Sequence, residues 1–412
     1  MIINLSYVTA NKQWQLESFD QLLKYLSIDD NESRCQFDVS ISNKHQPLII
    51  HPNTSKFLHP TDRSGVITIR HNDEIELFCS TGFSHPSTIV GNSVRISCKQ
   101  SGHFRLNHGR ADVSSENFQC RKHPYHSARR RMDERCFNNA TIVDIGFNIG
   151  NKFLIVMTLC HDESIQTTYY AQYKLTPANI AAQRGIKRPS FIQSDFFPGK
   201  DINLLYSREH QRKIFRADIL GVDDDDDENE EEEVVYLSRG HLAAKGDFIY
   251  GNEQRATFYY INAVPQWQSF NGLNWRAIED GSRRLAADRN ITLNVYTGTY
   301  GILSLRDSYG QAQNVYLDMV NKQVPVPKYF YKILFDAKGN SGTVFVCANN
   351  VYASKDEINR DYIICNDVSD EIKYINWKRK DTKRGYCYAC HVDEFLEKVS
   401  HVKGLSVENL LI

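Results

Sequence analysis

The chain has 412 residues, 41% of them apolar and 24% charged, and a formal net charge of -1. That length suffices for a full core and two domains, and the composition is that of an ordinary globular protein rather than a disordered or fibrous one. Its longest apolar run, FLIVMTLC at 153–160, is too short to cross a bilayer as a helix and reads as a buried strand, so no membrane partner is expected.

The opening stretch, MIINLSYVTANKQWQLESF, lacks the apolar core of a signal peptide. We read the chain as a mature secreted protein whose leader has been removed. Residues 1–136 are expected to form a β-rich domain, because QPLIIHP, GVITIRHNDEIELFC and SVRISCKQSGHFRL are short β-branched runs punctuated by turn residues. Cys79 and Cys98 lie in two of these runs, where they could staple neighbouring strands. The segment CRKHPYHSARRRMDERC, 120–136, reads as a solvated basic loop closed by a disulfide. A phosphate contact and a processing site for a basic-specific protease are its functional alternatives.

Ten cysteines spread over both ends of the chain favour structural disulfides and an oxidising compartment, with the connectivity left open. Sequons at Asn4, Asn31, Asn53, Asn139 and Asn290 point the same way, towards a secreted glycoprotein. Cys387-x-x-Cys390 is followed directly by His391, but no second pair stands at zinc-ligand spacing, so they read as disulfide cysteines.

A second domain is expected over 140–412. NATIVDIGFNIGNKFLIVMTLCHD predicts two strands around a turn, and QTTYYAQYKLT a third. Asp223–Glu233 follows, with ten acids in eleven residues; the rest of the chain, 49 basic against 40 acidic residues, carries a net +9. Such a block is expected to be a mobile solvated loop, and the basic remainder suits a polyanionic partner. The loop is either a tolerated surface insertion or a competitor for nucleic acid at the mouth of a site.

Beyond the acidic run, EVVYLSR predicts a strand that delivers Arg239-Gly240-His241 at its end. ATFYYINAVPQ, 256–266, predicts a second strand, stopped by Pro265. NGLNWRAIEDGSRRLAADR, 271–289, then predicts a helix whose inner stripe is Trp275, Ile278, Ser282 and Leu285. Asn271, Glu279 and Arg283 line an adjoining face. Gly281 weakens this helix by about 1 kcal/mol relative to alanine. Nearer the C-terminus a helix is expected from DSYG (307–310) or later, and HVDEFLEKVSHVKG predicts one over 391–404, closed by Gly404.

This set is coherent for cutting a phosphodiester. A neutral imidazole at His241 can activate water. A divalent cation would stabilise charge on the phosphate and leaving oxygen, and a hydrated Mg²⁺ needs few protein ligands: the amide oxygen of Asn271 and, through water, the Glu279 carboxylate. Arg239 and Arg283 can clamp phosphate oxygens. Gly240 would let backbone approach the substrate. Tyr259, Tyr260, Trp267 and Trp275 read as core rather than as base-stacking residues.

RGHLAAKGDF followed by FYYINAVPQWQSFNGLNW, with Glu and Arg four apart, resembles the DNA/RNA non-specific endonuclease family with its ββα-metal site, and within it the secreted nucleases of arthropod saliva and gut. The family's spacing is met at Arg239-Gly240-His241, Asn262, Asn271, Glu279 and Arg283. The resemblance implies an α+β fold, a ββα-metal nuclease domain on a mixed antiparallel sheet preceded by a smaller β-rich disulfide-bonded domain. It also implies Mg²⁺ or Mn²⁺, with His241 as general base, Asn271 as direct ligand, Glu279 as water-mediated ligand, Asn262 as organiser and Arg239 and Arg283 as phosphate binders. Substrates would be DNA and RNA, double- or single-stranded, cut to 5′-phosphate ends. Ser238 stands where the family has aspartate, and a further upstream arginine has only Arg212 and Arg216 as candidates. Those departures leave a second reading, a nucleic-acid-binding salivary-type protein with little or no turnover.

Overall fold

A computed structural model describes residues 34–39, 45–52, 54, 56–99, 102–106, 112–215, 219 and 236–412. The acidic run at 223–233, Arg216, and the sequons at Asn4, Asn31 and Asn53 lie outside the described residues. The chain divides into two compact units: one up to Pro124, and one from Tyr125 to Ile412 that also takes in Thr61–Gly65.

The first unit is built of short strands. Five of them pair antiparallel in the order Leu48–Ile50, Glu74–Phe78, Ser93–Cys98, Phe104–Leu106, Asp112–Val113. Arg34–Asp38 pairs with Val66–Arg70, and Phe83–His85 with Gln119–Cys120. Strands of two to six residues bury little apolar surface each, and the unit adds two disulfides. Cys35 bonds Cys98 and Cys79 bonds Cys120, so the two cysteines expected to staple adjacent strands each tie to a more distant segment. Phe104, fully buried, packs against Phe37 at 4.7 Å and Phe118 at 6.4 Å between ring centres.

The second unit rests on a nine-stranded sheet. Its order is His126–Arg135, Thr141–Ile149, Lys152–Asp162, Thr167–Leu175, Leu293–Ile302, Pro327–Asp336, Ser341–Ala348, Cys387–Cys390, all antiparallel, with Asn409–Leu410 added parallel beside Ser341–Ala348. The architecture is α+β, dominated by antiparallel strands with few helices.

The 120–136 segment corrects an expectation. It is no loop closed on itself: Cys120 bonds Cys79, Cys136 bonds Cys160, and His126–Arg135 is the edge strand of the large sheet. Two of its arginines are consumed locally. Arg130 pairs with Glu163 at 2.9 Å and Asp195 at 2.7 Å and lies over the Phe196 ring; Arg131 pairs with Asp144 at 2.7 Å. Charged side chains also blunt an edge against pairing with another chain.

Period-two alternation gives the central Pro327–Asp336 strand two different faces. Tyr329, Tyr331 and Ile333 join the core cluster with Val392, Phe395 and Val399, the side of the Val392–Lys398 helix. Phe330 faces the other way, onto Phe270 at 5.6 Å and Trp275 at 5.4 Å. That second face carries the functional elements.

The C-terminal helix stops at Lys398, short of Gly404. Val399 is extended at φ -123°, and the chain turns so that His401 enters an aromatic cage of Phe137, Tyr169 and Tyr300 at 4.5, 5.0 and 5.6 Å. DSYG is a hairpin turn between Ser304–Arg306 and Ala312–Asn314; the helix that does follow is Lys355–Asp361, capped by the Ser354 side chain. Cys387 and Cys390 bond Cys347 and Cys365 respectively, so both are disulfide cysteines and neither pairs with the other.

Candidate active site

Leu237–His241 pairs antiparallel with Ala263–Trp267, Arg239 opposite Pro265 and His241 opposite Ala263. The chain then runs directly into a helix, wide-turned over Asn271–Trp275 and regular over Arg276–Arg289. Two strands and a helix thus form the predicted finger, with shifted boundaries. Gly251–Ala256 is helical and Tyr260–Asn262 a short 3₁₀ turn, so the second strand begins only at Ala263. Pro265 sits inside it rather than ending it. The outer edge of this strand is closed by Asn349, whose side chain accepts from Trp267 N and donates to Pro265 O.

Asn262 is fully buried and explains the early turn. Its Oδ1 accepts from Ala243 N at 2.9 Å, and its Nδ2 donates to the carbonyls of Ala243 and Thr257 at 3.0 and 2.9 Å. It ties the segment after His241 to the start of the second strand. Gly240 is required by packing: a Cβ there would lie 2.3 Å from Gln266 Oε1 and 2.6 Å from Gln266 Cβ, and Gln266 is fully buried.

His241 is clasped by Phe191 at 5.1 Å and Phe258 at 4.9 Å between ring centres. Burial, with the positive charges of Arg188 and Lys245, pushes its pKa down to about 3, against a hydrogen bond to the Arg239 backbone that favours the charged form. Nε2 is buried without a hydrogen-bond partner among the described residues. The ring is therefore neutral near pH 7.

Arg239 lies among Tyr206, Tyr260 and Phe191, its guanidinium carbon 5.2, 5.7 and 5.9 Å from their ring centres. Nε donates to Tyr260 Oη at 3.1 Å and Nη2 to Asn203 Oδ1 at 2.7 Å. Among the described residues no carboxylate neutralises it. Arg283 is the opposite case, ion-paired to both Asp247 and Asp280.

Glu279 accepts no hydrogen bond from the described residues. Burial and the charge of Asp247 raise its pKa to about 7, while Lys332 and Arg283 pull it down. Asn271 donates Nδ2 to Ser238 Oγ at 3.0 Å, and its Oδ1 takes no donor from the described residues. In a regular helix, eight residues would set Asn271 and Glu279 about 80° apart. The wide turn at Asn271–Trp275 rotates less per residue and brings them closer to one line. An unused amide oxygen and an unused carboxylate on one helix fit a hydrated hard cation, which takes few protein ligands. Among the described residues no three His, Cys, Asp or Glu side chains cluster as a closed metal site.

His241 makes no hydrogen bond to Asn271 or Glu279; the strand and the loop after it link the three. Arg212, one candidate for the upstream arginine, is exposed on the Arg208–Lys213 helix. The cations that do act on His241 are Arg188 and Lys245. The sequence reading missed both, although Lys245 lies four residues after His241 and Arg188 in the basic run RGIKR. It missed Asp247 and Lys332 as well. Tyr259, Tyr260, Trp267 and Trp275 are all buried, as expected of core.

Two antiparallel strands followed by a helix, set on a broad antiparallel sheet, define a ββα nuclease fold. The chain belongs to the DNA/RNA non-specific endonuclease family, whose sequence pattern matches residues 138–395. It is 25% identical over 400 residues to a salivary endonuclease of Lutzomyia longipalpis, covering 93% of this chain and 87% of that protein. It is 24% identical to the salivary protein Tsal1 of Glossina morsitans morsitans, covering 94% and 96%. A crystal structure of the EndoG/EndoGI complex aligns with 48% of this chain and 74% of that one at 22% identity and a TM-score of 0.34, too loose a likeness to argue from.

Proposed function

We propose that this protein is a secreted, divalent-cation-dependent endonuclease that hydrolyses phosphodiester bonds in both DNA and RNA. The observation that carries the reading is His241: a neutral imidazole held between Phe191 and Phe258, on the strand of the family's Arg-Gly-His motif. The neutral ring would take a proton from the attacking water. Arg239, a cation without a carboxylate, would grip a non-bridging phosphate oxygen, its aromatic surround fixing its direction. Asn262 keeps the segment after His241 in place.

Asn271 Oδ1 would be the direct ligand of Mg²⁺ or Mn²⁺, and Glu279 would hold one of the ion's waters. When bound, the ion supplies charge stabilisation at the phosphate and the departing 3′ oxygen, leaving 5′-phosphate ends. Arg283, engaged by two carboxylates, would organise Glu279 and reach phosphate with its remaining N–H groups. None of these groups reads a base edge, which supports indifference to sequence and sugar.

Secretion is supported by five disulfides and by salivary relatives. The two sequons among the described residues, Asn139 and Asn290, are both exposed, as glycan acceptors must be.

The test is cleavage of plasmid DNA and long dsRNA with Mg²⁺ or EDTA, by wild type and His241→Ala. Metal-dependent cutting of both, lost in His241→Ala, is the expected result. Tight binding with negligible cutting by wild type would instead leave a nucleic-acid grip without turnover.

A further inference from the structure

Behind the finger lies an ionic cluster that the sequence did not announce. Asp247, six residues past His241, is fully buried, and so is Lys332 in the middle of the large sheet. Asp247 Oδ2 accepts from Tyr173 Oη at 2.6 Å and lies 3.5 Å from Lys332 Nζ. Its Oδ1 pairs with Arg283, and its backbone carbonyl accepts from Asn179 Nδ2 at 2.6 Å. Lys332 Nζ in turn donates to Tyr173 Oη at 2.6 Å and Thr297 Oγ1 at 3.0 Å.

Tyr173, Thr297 and Lys332 come from three neighbouring strands, Thr297 directly opposite Lys332 in register. They form a polar track across a sheet face whose next contact, Phe330 on Trp275, is apolar. Taking a lysine and an aspartate out of water costs several kcal/mol per ion, and an apolar pair of similar volume would stabilise the sheet as well or better. Stability alone does not account for the arrangement. Its output is at the site: Asp247 holds Arg283, which stands one turn after Glu279 on the Arg276–Arg289 helix and is paired also with Asp280. Arg283 and Lys332 offset all but one of the three carboxylates. Without Lys332, one guanidinium would face all three.

We infer that Asp247 and Lys332 are positioning residues of the cleavage reaction, Asp247 anchoring Arg283 and Lys332 fixing Asp247, so that the helix holds Glu279 ready for a hydrated cation. The inference rests on the function proposed above. Neither residue touches substrate; each acts through Arg283 and Glu279. A sheet lysine would thereby become part of the nuclease machinery.

The experiment uses the full chain and reads Mn²⁺ affinity by electron paramagnetic resonance without nucleic acid, beside kcat and KM on plasmid DNA. Asp247→Asn should weaken Mn²⁺ binding about 10-fold and lower kcat about 10- to 100-fold, the range of outer ligand supports, with KM for DNA nearly unchanged. Tyr173→Phe removes one hydroxyl and no charge, keeps the shape of the core, and should shift both readouts in the same direction by a few-fold. Near-UV circular dichroism identifies the folded variants; if Asp247→Asn fails to fold, Tyr173→Phe decides. Folded variants with wild-type Mn²⁺ affinity and kcat overturn the inference, provided Glu279→Gln abolishes the Mn²⁺ site. A Glu279→Gln protein that binds Mn²⁺ like wild type overturns the reading of the site itself, and this inference with it.

Discussion

Ser238 Oγ accepts a hydrogen bond from Asn271 Nδ2 at 3.0 Å while donating its own proton to the Gln266 carbonyl at 2.9 Å. A hydroxyl has one proton, and Gln266 O can only accept, so the Asn271 amide must turn its N–H towards Ser238 and its Oδ1 away. Serine here does what a carboxylate would do for that amide. Ser238→Ala frees the amide to rotate and should lower kcat about 10-fold, as loss of an outer ligand support does. Ser238→Asp can accept the same bond and should retain most of the wild-type rate. Plasmid nicking rates at saturating Mg²⁺ separate these outcomes; equal loss in both variants would remove the orienting role.

Two further histidines govern how the fold responds to acid. His161 is fully buried, and His401 nearly so. Burial lowers the pKa of each to about 4. Thr168 Oγ1 gives its proton to the Ile261 carbonyl at 2.6 Å, so His161 Nδ1, 2.9 Å away, must be the donor between them, and the ring is neutral. The unfolded chain takes up protons below about pH 6.5, where the folded protein does not. Stability should thus be fully present above pH 6.5 and fall as the pH drops towards 4, by about 1.4 kcal/mol per unit for each histidine. Urea unfolding at pH 7, 6 and 5 measures the slope. His161→Gln should make it shallower by one proton, whatever it does to stability at pH 7.

The finger was legible because its chemistry is local in sequence: six side chains at fixed intervals, with a strand, a strand and a helix between them. Its boundaries were less so. FYYI reads as strand by composition, yet Asn262 takes the backbone groups of Ala243 and Thr257, and Tyr260 N and Phe258 O bond to Ile192 in a distant loop. The His126–Arg135 strand has no apolar alternation, since an edge strand with paired arginines needs none. Lys332 had a readable signal, being in phase with Phe330 and Leu334 on a buried strand. Its partner Asp247 comes from 85 positions earlier in the chain, and no local pattern joins them.

Gly281 reverses a propensity argument. In an isolated helix, Gly→Ala stabilises by about 1 kcal/mol. Here a Cβ at position 281 would lie 2.4 Å from Ile375 Cδ1 and 2.9 Å from the Tyr374 carbonyl oxygen, which is backbone and cannot step aside. The helix must let the 374–375 segment pass at backbone distance, two residues from Glu279. Gly281→Ala should therefore destabilise by about 1–3 kcal/mol, the range for overpacking. Thermal unfolding decides the sign, and a raised midpoint would show that the segment can move.

Arginines that look alike in sequence should differ in their effect on nucleic-acid binding. Arg130 and Arg131 belong to the most basic stretch of the chain but are neutralised by Glu163, Asp195 and Asp144. Arg239 has only hydroxyl, amide and ring partners among the described residues. A phosphate displaces counterions only where a cation is free to meet it, so each such contact steepens the dependence of log affinity on log salt by about 0.9 for duplex DNA. Binding of His241→Ala protein to duplex DNA in EDTA, measured from low to moderate salt, isolates this from cleavage. In that background Arg239→Ala should reduce the slope by about 1, whereas Arg130→Ala and Arg131→Ala should leave it unchanged and lower the unfolding midpoint instead. A slope reduced by Arg130→Ala or Arg131→Ala would return the edge strand to the nucleic-acid surface.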